Sequence, residues 1–341
     1  MPPGTRQAFS ADLIWWRESS SIHTVVTVWG GETDLRMLGL GDSDRQKEII
    51  LKLHDAAGNS LATWRAELRP GVPVIVDSRD HPNVVDEGVL AVHLTGNNAP
   101  AGENRRLYSM VDWCSDNGEL VSLHSDHSIA RSRKSIEFTE IVFLETSQSR
   151  NFLVLVNGRE PQGPDSVALQ VRNYCNQTRN AVYSRAMAPF SVHKLSLMEL
   201  FPNLSEFCAG KHATLEGRFE ARNLFTRPYV MTEDKRLAGY HGGDRYTWNG
   251  MSRFIYKALG YGEVNPMVAI HSGSLTTTVN LLNSHGDLEE DFWVDARLYD
   301  QSGNRSHIAR NGCWLGATAL REETSRTCSV TATAHSPATS R

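Results

Sequence analysis

The segment LHDAAGNSLATW at 53–64 recurs as LYDQSGNRSHIA at 298–309. A recurring block constrains a fold more than composition does, because each copy must build the same supersecondary unit. Both copies read Leu, then His or Tyr, then Asp, two linker residues and Gly-Asn. That is the pattern of a β-hairpin. An alternating strand (EIILKLHD, FWVDARLYD) enters a turn whose Asp bonds the backbone and whose Gly accepts a positive φ. A second strand (SLATWRAEL) then leaves. Calcium ligation by Asp55 and Asp300 does not fit, since a Ca²⁺ loop wants acids at alternate positions and each turn offers one.

A weaker middle copy is DSVALQVRNYCNQTRNAVYSRAMAPFSVHKLSL at 165–197. LRPGVPVIVDS in the first copy answers to MAPFSVHKLSL in the middle one, and DEGVLAVHLTG to CAGKHATLEGRFEA. RRLYSMVDWCSDNGELVSLHSDHS then aligns, across a gap, with TRPYVMTEDKRLAGYHGGDRY. Tyr108 falls on Tyr229, Leu120 on Leu237 and His124 on His241. The strands SSIHTVVTVW, RNFLVLVN and SGSLTTTVNLLN open the three units, each rich in β-branched residues and alternating.

One unit spans on the order of a hundred residues with about seven short strands, the spacing of a β-sandwich. The expected fold class is all-β: tandem immunoglobulin-like β-sandwich units, two complete and one partial, with a short linker helix. The expected boundaries are a lead segment at 1–20, unit 1 at 21–134, unit 2 at 135–248, the linker helix at 249–265, partial unit 3 at 266–321 and a disordered tail at 322–341. Trp15 and Trp16 in the lead segment read as a strand tucked into a core rather than an exposed binding pair. HKLSLMELFPNL predicts a short turn of helix from Ser196 to Phe201, stopped by Pro202. MSRFIYKALGYGEVNP carries Phe254, Ile255, Ala258 and Leu259 at helical spacing and supplies the linker helix. The tail is rich in Ser, Thr and Ala and shows no pattern. A half sandwich cannot bury both its faces, so unit 3 needs another unit or a second chain to pack on. The repeat pattern resembles bacterial tandem immunoglobulin-like modules at the level of fold.

Chemistry concentrates at one place. HSDH puts His124, Asp126 and His127 at the end of a predicted strand. Residues two apart share a strand face, so all three converge only if the chain turns near Asp126. A transition metal wants three or four ligands, and the repeat offers more: His241 at the matching position in YHGGDRY, with Asp244 three residues on. If equivalent ends of the two units face each other, His124, Asp126, His127, His241 and Asp244 form a His/carboxylate site suited to zinc or non-haem iron. Arg227 and Tyr229 in FTRPYV would then grip a carboxylate or phosphate. The competing reading is a solvated strand end whose polar side chains bond nearby backbone. No P-loop, dinucleotide fingerprint, GxSxG elbow or HExxH motif occurs in the 341 residues.

Bulk properties set the remaining expectations. A net charge of −4 implies no nucleic-acid partner. Arg outnumbers Lys, but no cluster on one face is visible in the sequence. No apolar run reaches the ~18 residues of a membrane span, and the N-terminus lacks the pattern of a secretory signal. Five widely spaced cysteines, Cys114, Cys175, Cys208, Cys313 and Cys328, argue against a disulfide framework and for thiols in a bacterial cytoplasm. The leading functional expectation is a non-catalytic binding or assembly module. It would use strand-end loops and the cleft between units to hold a small molecule or protein, with a homodimer formed through unit 3. The alternative is a zinc or iron enzyme at that cleft.

Overall fold

The computed structural model describes residues 11–29, 47–69, 72–81, 85–95, 108–124, 136–173, 175, 177–219, 228–233, 237–241, 243–244, 278–281, 292–299, 305–315 and 328–331. They are mostly strand, in antiparallel sheets. The chain divides into two compact units, one of residues 1–173 and 178–243, the other of 174–177 and 244–341.

The larger unit begins with β1 (Ala11–Arg17), β2 (Ile22–Trp29), β3 (Lys47–Asp55), β4 (Ser60–Leu68), β5 (Val74–Asp77), β6 (Glu87–Thr95), β7 (Tyr108–Ser115) and β8 (Leu120–His124). It continues with β9 (Ile136–Leu144), β10 (Asn151–Val156), β11 (Val167–Arg172), β12 (Thr178–Tyr183), β13 (Val192–Ser196), β14 (His212–Phe219), β15 (Tyr229–Glu233) and β16 (Leu237–His241). The first eight strands make two sheets, ordered β1-β6-β3-β4 and β5-β2-β7-β8. The next eight make sheets ordered β12-β11-β14-β9 and β13-β10-β15-β16, the former extended beyond β9 by β17 (Gly243–Asp244). Adding eight to each strand number converts the first pair of orders into the second. β1 pairs with β6 along its whole length, so the lead segment is the edge strand of the first sheet, in the place β9 takes in the third.

In the smaller unit β18 (Thr278–Leu281) pairs with β21 (Cys328–Thr331), and β19 (Phe292–Tyr299) with β20 (Arg305–Leu315). β19 and β20 are the hairpin expected from LYDQSGNRSHIA. β21 lies within the segment expected to be a disordered tail. Composition alone marks Ser, Thr and Ala as loop-forming, whereas Val330 and Thr331 are β-branched and pair with Val279 and Thr278. The predicted linker helix at 249–265 lies outside the described residues.

The predicted helical turn is present as α1 (Leu197–Leu200), with the Ser196 hydroxyl capping the N–H of Glu199. A second short helix, α2 (Leu204–Cys208), follows, and its Leu204 and Cys208 are buried with Leu197 and Phe201 in one core.

The reason the larger unit holds together lies in the fourth sheet. A strand with one buried face alternates, yet β10 and β15 are buried at nearly every position. Leu153, Leu155 and Val230 enter one core with β9, β11 and β14. Val154, Val156, Tyr229 and Met231 enter the other core with β1 to β8. This sheet is a wall common to two cores. On the opposing side, Leu13, Ile14, Trp15 and Trp16 of β1 are all buried. Trp16 stacks on Trp64 inside the first sandwich, while Trp15 meets Trp113 at 5.8 Å and Tyr229 at 6.0 Å between ring centroids. Burying a tryptophan side chain contributes roughly 5 kcal/mol before conformational entropy is charged against it.

The β3–β4 turn joins the same junction. Asp55 Oδ1 accepts from the N–H of Asn59 at 2.8 Å, and Gly58 has φ +92°. The turn is pressed onto the second sandwich: the N–H of Val192 donates to the Ala56 carbonyl at 3.1 Å, and a Cβ added at Gly58 would lie 2.0 Å from the Pro189 carbonyl oxygen. Gly118, at φ +81° in the β7–β8 turn, has open space around it. Gly118→Ala is therefore expected to cost about 1 kcal/mol, the strain of a left-handed alanine. Gly58→Ala adds a backbone collision and is expected to cost about 2–4 kcal/mol. Urea unfolding of the two variants side by side checks the difference.

Candidate functional site

The hairpins that carry the paired histidines have closely related registers. Met110 pairs with His124 across β7 and β8, and Tyr229 pairs with His241 across β15 and β16. Each histidine is the last residue of its strand. In register it is Met110, not Tyr108, that sits opposite His124 as Tyr229 sits opposite His241. The two hairpins touch through their outer strands: a Cβ added at Gly239 of β16 would lie 2.5 Å from Val121 Cγ1 of β8. Asp244 belongs to the two-residue strand β17 in the sheet of β9. Asp126, His127 and Arg227 lie outside the described residues. Among the described residues no group of three or more His, Cys, Asp or Glu is placed to hold a metal ion.

Tyr229, expected to help grip an anion, lies in the interior. It is 5 % exposed and packed between Trp15 and Trp113, whose ring lies 5.3 Å from its own. Burial pushes its phenol well above the usual value, so it stays neutral. It fills the junction of the two sandwiches. The sequence left this open because FTRPYV looks like an edge strand marked by proline, and nothing local shows that a second sheet is packed on it.

The junction also carries charge. Glu233 at the end of β15 accepts from Arg17 Nη1 at 2.9 Å and from Lys194 Nζ at 2.6 Å. The side chains are 13–20 % exposed, so the ions are largely withdrawn from water. Arg17 also lies over the Trp15 ring, 4.9 Å from its centroid. Trp15 Nε1 donates to Glu87 at 2.8 Å, and Trp113 Nε1 donates to the Trp15 carbonyl at 3.1 Å. Every indole and carboxylate in this set has a partner, which is what burial demands.

Three further polar groups stand apart from the predicted site. Tyr183 Oη and His193 Nδ1 are 2.5 Å apart and tie the edge strands β12 and β13 together. Burial lowers the His193 pKa, with Arg185 acting in the same direction. Glu145, just after β9, is fully buried. Its carboxylate accepts from Asn151 Nδ2 at 2.6 Å and from the Ser205 hydroxyl of α2 at 2.8 Å, and Asn151 Oδ1 accepts in turn from the Thr232 hydroxyl. Burial raises the Glu145 pKa, and the Asn151 and Ser205 hydrogen bonds only partly offset that. Cys208 nearby is buried, and burial with the Glu145 charge pushes its thiol up to about 12. A thiol so protonated is no nucleophile at neutral pH. The donors to Glu145 come from different elements, with Ser205 sixty residues away, so no motif announces the cluster.

No family model matches the chain, and no curated protein or solved structure matches it either.

A raised carboxyl pKa means the folded state holds its proton longer than the unfolded chain. Glu145 therefore contributes most below the usual carboxylate value, and that part of the stability is lost as pH rises toward the raised value. Glu145→Gln removes the titration. Its cost, measured by urea unfolding, is expected to be smaller at about pH 7.5 than at about pH 4.5.

Proposed function

We propose that this chain is a cytoplasmic, non-catalytic binding or assembly module built on tandem immunoglobulin-like β-sandwiches. Its ligand, a small molecule or a protein, meets the strand-end loops. The reading rests on one observation: the junction between the first two sandwiches is packed solid by Trp15, Trp113, Tyr229, Val154 and Met231. A junction so filled makes one stiff scaffold out of two sandwiches, and it leaves loops, not the space between cores, for recognition. The chemistry-bearing groups inside, Glu145 and Cys208, are spent on structure. Nucleic acid and membrane are not proposed as partners. No helix among the described residues is long and apolar enough to cross a membrane. The edges of the third unit are proposed to recruit a second copy of the chain. Size-exclusion with light scattering tests that proposal, and a strict monomer at high concentration removes it.

A second reading is favoured by the contact of β8 with β16, the strands that end in His124 and His241. It is a zinc or iron site formed by His124, Asp126, His127, His241 and Asp244, with Arg227 placing an anionic substrate and the metal activating water or oxygen. The two readings separate on protein purified without a polyhistidine tag. The module predicts no stoichiometric metal by elemental analysis and a melting temperature unmoved by chelator. Stoichiometric zinc or iron that disappears in a His124→Ala/His241→Ala variant instead establishes the metal site.

A further inference from the structure

Two imidazoles on one face of the first sheet, of which His54 lies at the junction with the second sandwich, take no part in the proposed function. His54 is the penultimate residue of β3, is 6 % exposed and stacks on Phe190 of the second sandwich, with ring centroids 4.6 Å apart and planes 15° apart. Its Nδ1 lies 3.2 Å from the Gly58 carbonyl, so the neutral ring donates there and leaves Nε2 bare. That Nε2 is buried with no hydrogen-bond partner, and the same holds for Nε2 of His93. Strand register puts both rings on one face. Ile50 pairs with His93 and His54 with Val89, while Ala11, Leu13 and Trp15 pair with His93, Ala91 and Val89. It is the face from which Trp15 reaches Tyr229.

We propose that the junction is an acid-sensitive latch, in which protonation of His54 and His93 releases the β3–β4 turn from Pro189 and Phe190 while each sandwich stays folded. A proton on either Nε2 creates a buried cation with no hydrogen-bond partner among the described residues, a penalty relieved most directly by letting water in. The segment that must move is small: the turn held by the Val192–Ala56 hydrogen bond, the Gly58–Pro189 contact and the His54–Phe190 stack. The charges acting on the two rings come from their own sheet. Lys52 opposes protonation of both, Asp55 favours it at His54, and His54 opposes it at His93. The second sandwich presents the neutral Phe190 ring to His54. The carboxylates elsewhere on the junction, Glu233 and Glu87, are taken by Arg17 and Lys194 and by Trp15. Burial is the main cause of a lowered pKa at both histidines, and His93 is held down to about 4. The sign follows: the neutral rings stabilise the junction fully above the ordinary histidine value of about 6.5, and that contribution is lost as pH falls toward the lowered values.

The test titrates the full chain from about pH 7.5 to about pH 4, the range in which perturbed histidines change charge. Near-ultraviolet circular dichroism reports the packing of the aromatic side chains, Trp15 and Trp113 among them, and far-ultraviolet signal reports the strands. The latch requires a near-ultraviolet step at higher pH than the loss of strand signal. It also requires that the step vanish in His54→Phe/His93→Leu, which leaves His193 and His212 to titrate as before. Lys52 is exposed, so Lys52→Glu leaves the fold intact and is expected to move the step to higher pH by about half a unit, because it removes an opposing charge. If the two signals fall together, or if Lys52→Glu leaves the midpoint in place, the latch is overturned, whether or not the double variant folds.

Discussion

The burial of one sheet on both of its faces is the constraint on which the larger unit depends. β10 and β15 send alternate side chains to opposite sides, and both sides are dry. Neither core is complete without the shared sheet. Removing the Trp15, Trp113 and Tyr229 contact would expose Val154, Val156 and Met231 to water on a face that carries few polar groups. The hydrophobic effect is non-directional, so what specifies the docking angle must be the groups that cannot be satisfied in any other arrangement. Here that group is the Arg17–Glu233 ion pair, which joins β1 to β15 across the junction, with Lys194 of β13 on the same carboxylate.

Polar groups inside this protein divide by whether they find partners. Asn157 donates to the carbonyls of Glu160 and Ala188 and accepts from Gln162, locking the loop before β11 to the loop before β13. Glu145 is held by neutral donors alone. His54 and His93 each keep one nitrogen without a partner. The first kind of group rigidifies, and the last kind leaves the packing sensitive to a proton. Of these groups His54 sits against the seam of the two sandwiches.

Much of the architecture was legible along the chain, for reasons of period and turn chemistry. Alternation marked β2, β3 and β19. The Asp-x-x-Gly-Asn turn was readable because the physics is local: Asp55 bonds its own loop, and Gly58 takes the positive φ. Ser196 and Pro202 bracketed α1 for the same reason. α2 was not legible, because five residues around Asn203 and Ala209, both left-handed, carry no helical period. β21 was hidden by a composition that usually signals loop. Of the candidate site, the placing of His124 and His241 near strand ends was visible, whereas the burial of Tyr229 was not.

Sequence alone determined the strand period, the hairpin turns and the near-repetition of one block, since each depends on residues within a few positions of one another. Only tertiary structure decided that Trp15 and Tyr229 meet, that Glu233 gathers two cations from separate strands, and that His54 lies against Phe190. The physical reason is range. Backbone preference and side-chain alternation act between neighbours, while desolvation and pairing depend on what the far parts of the chain bring, and no spacing in the sequence encodes that.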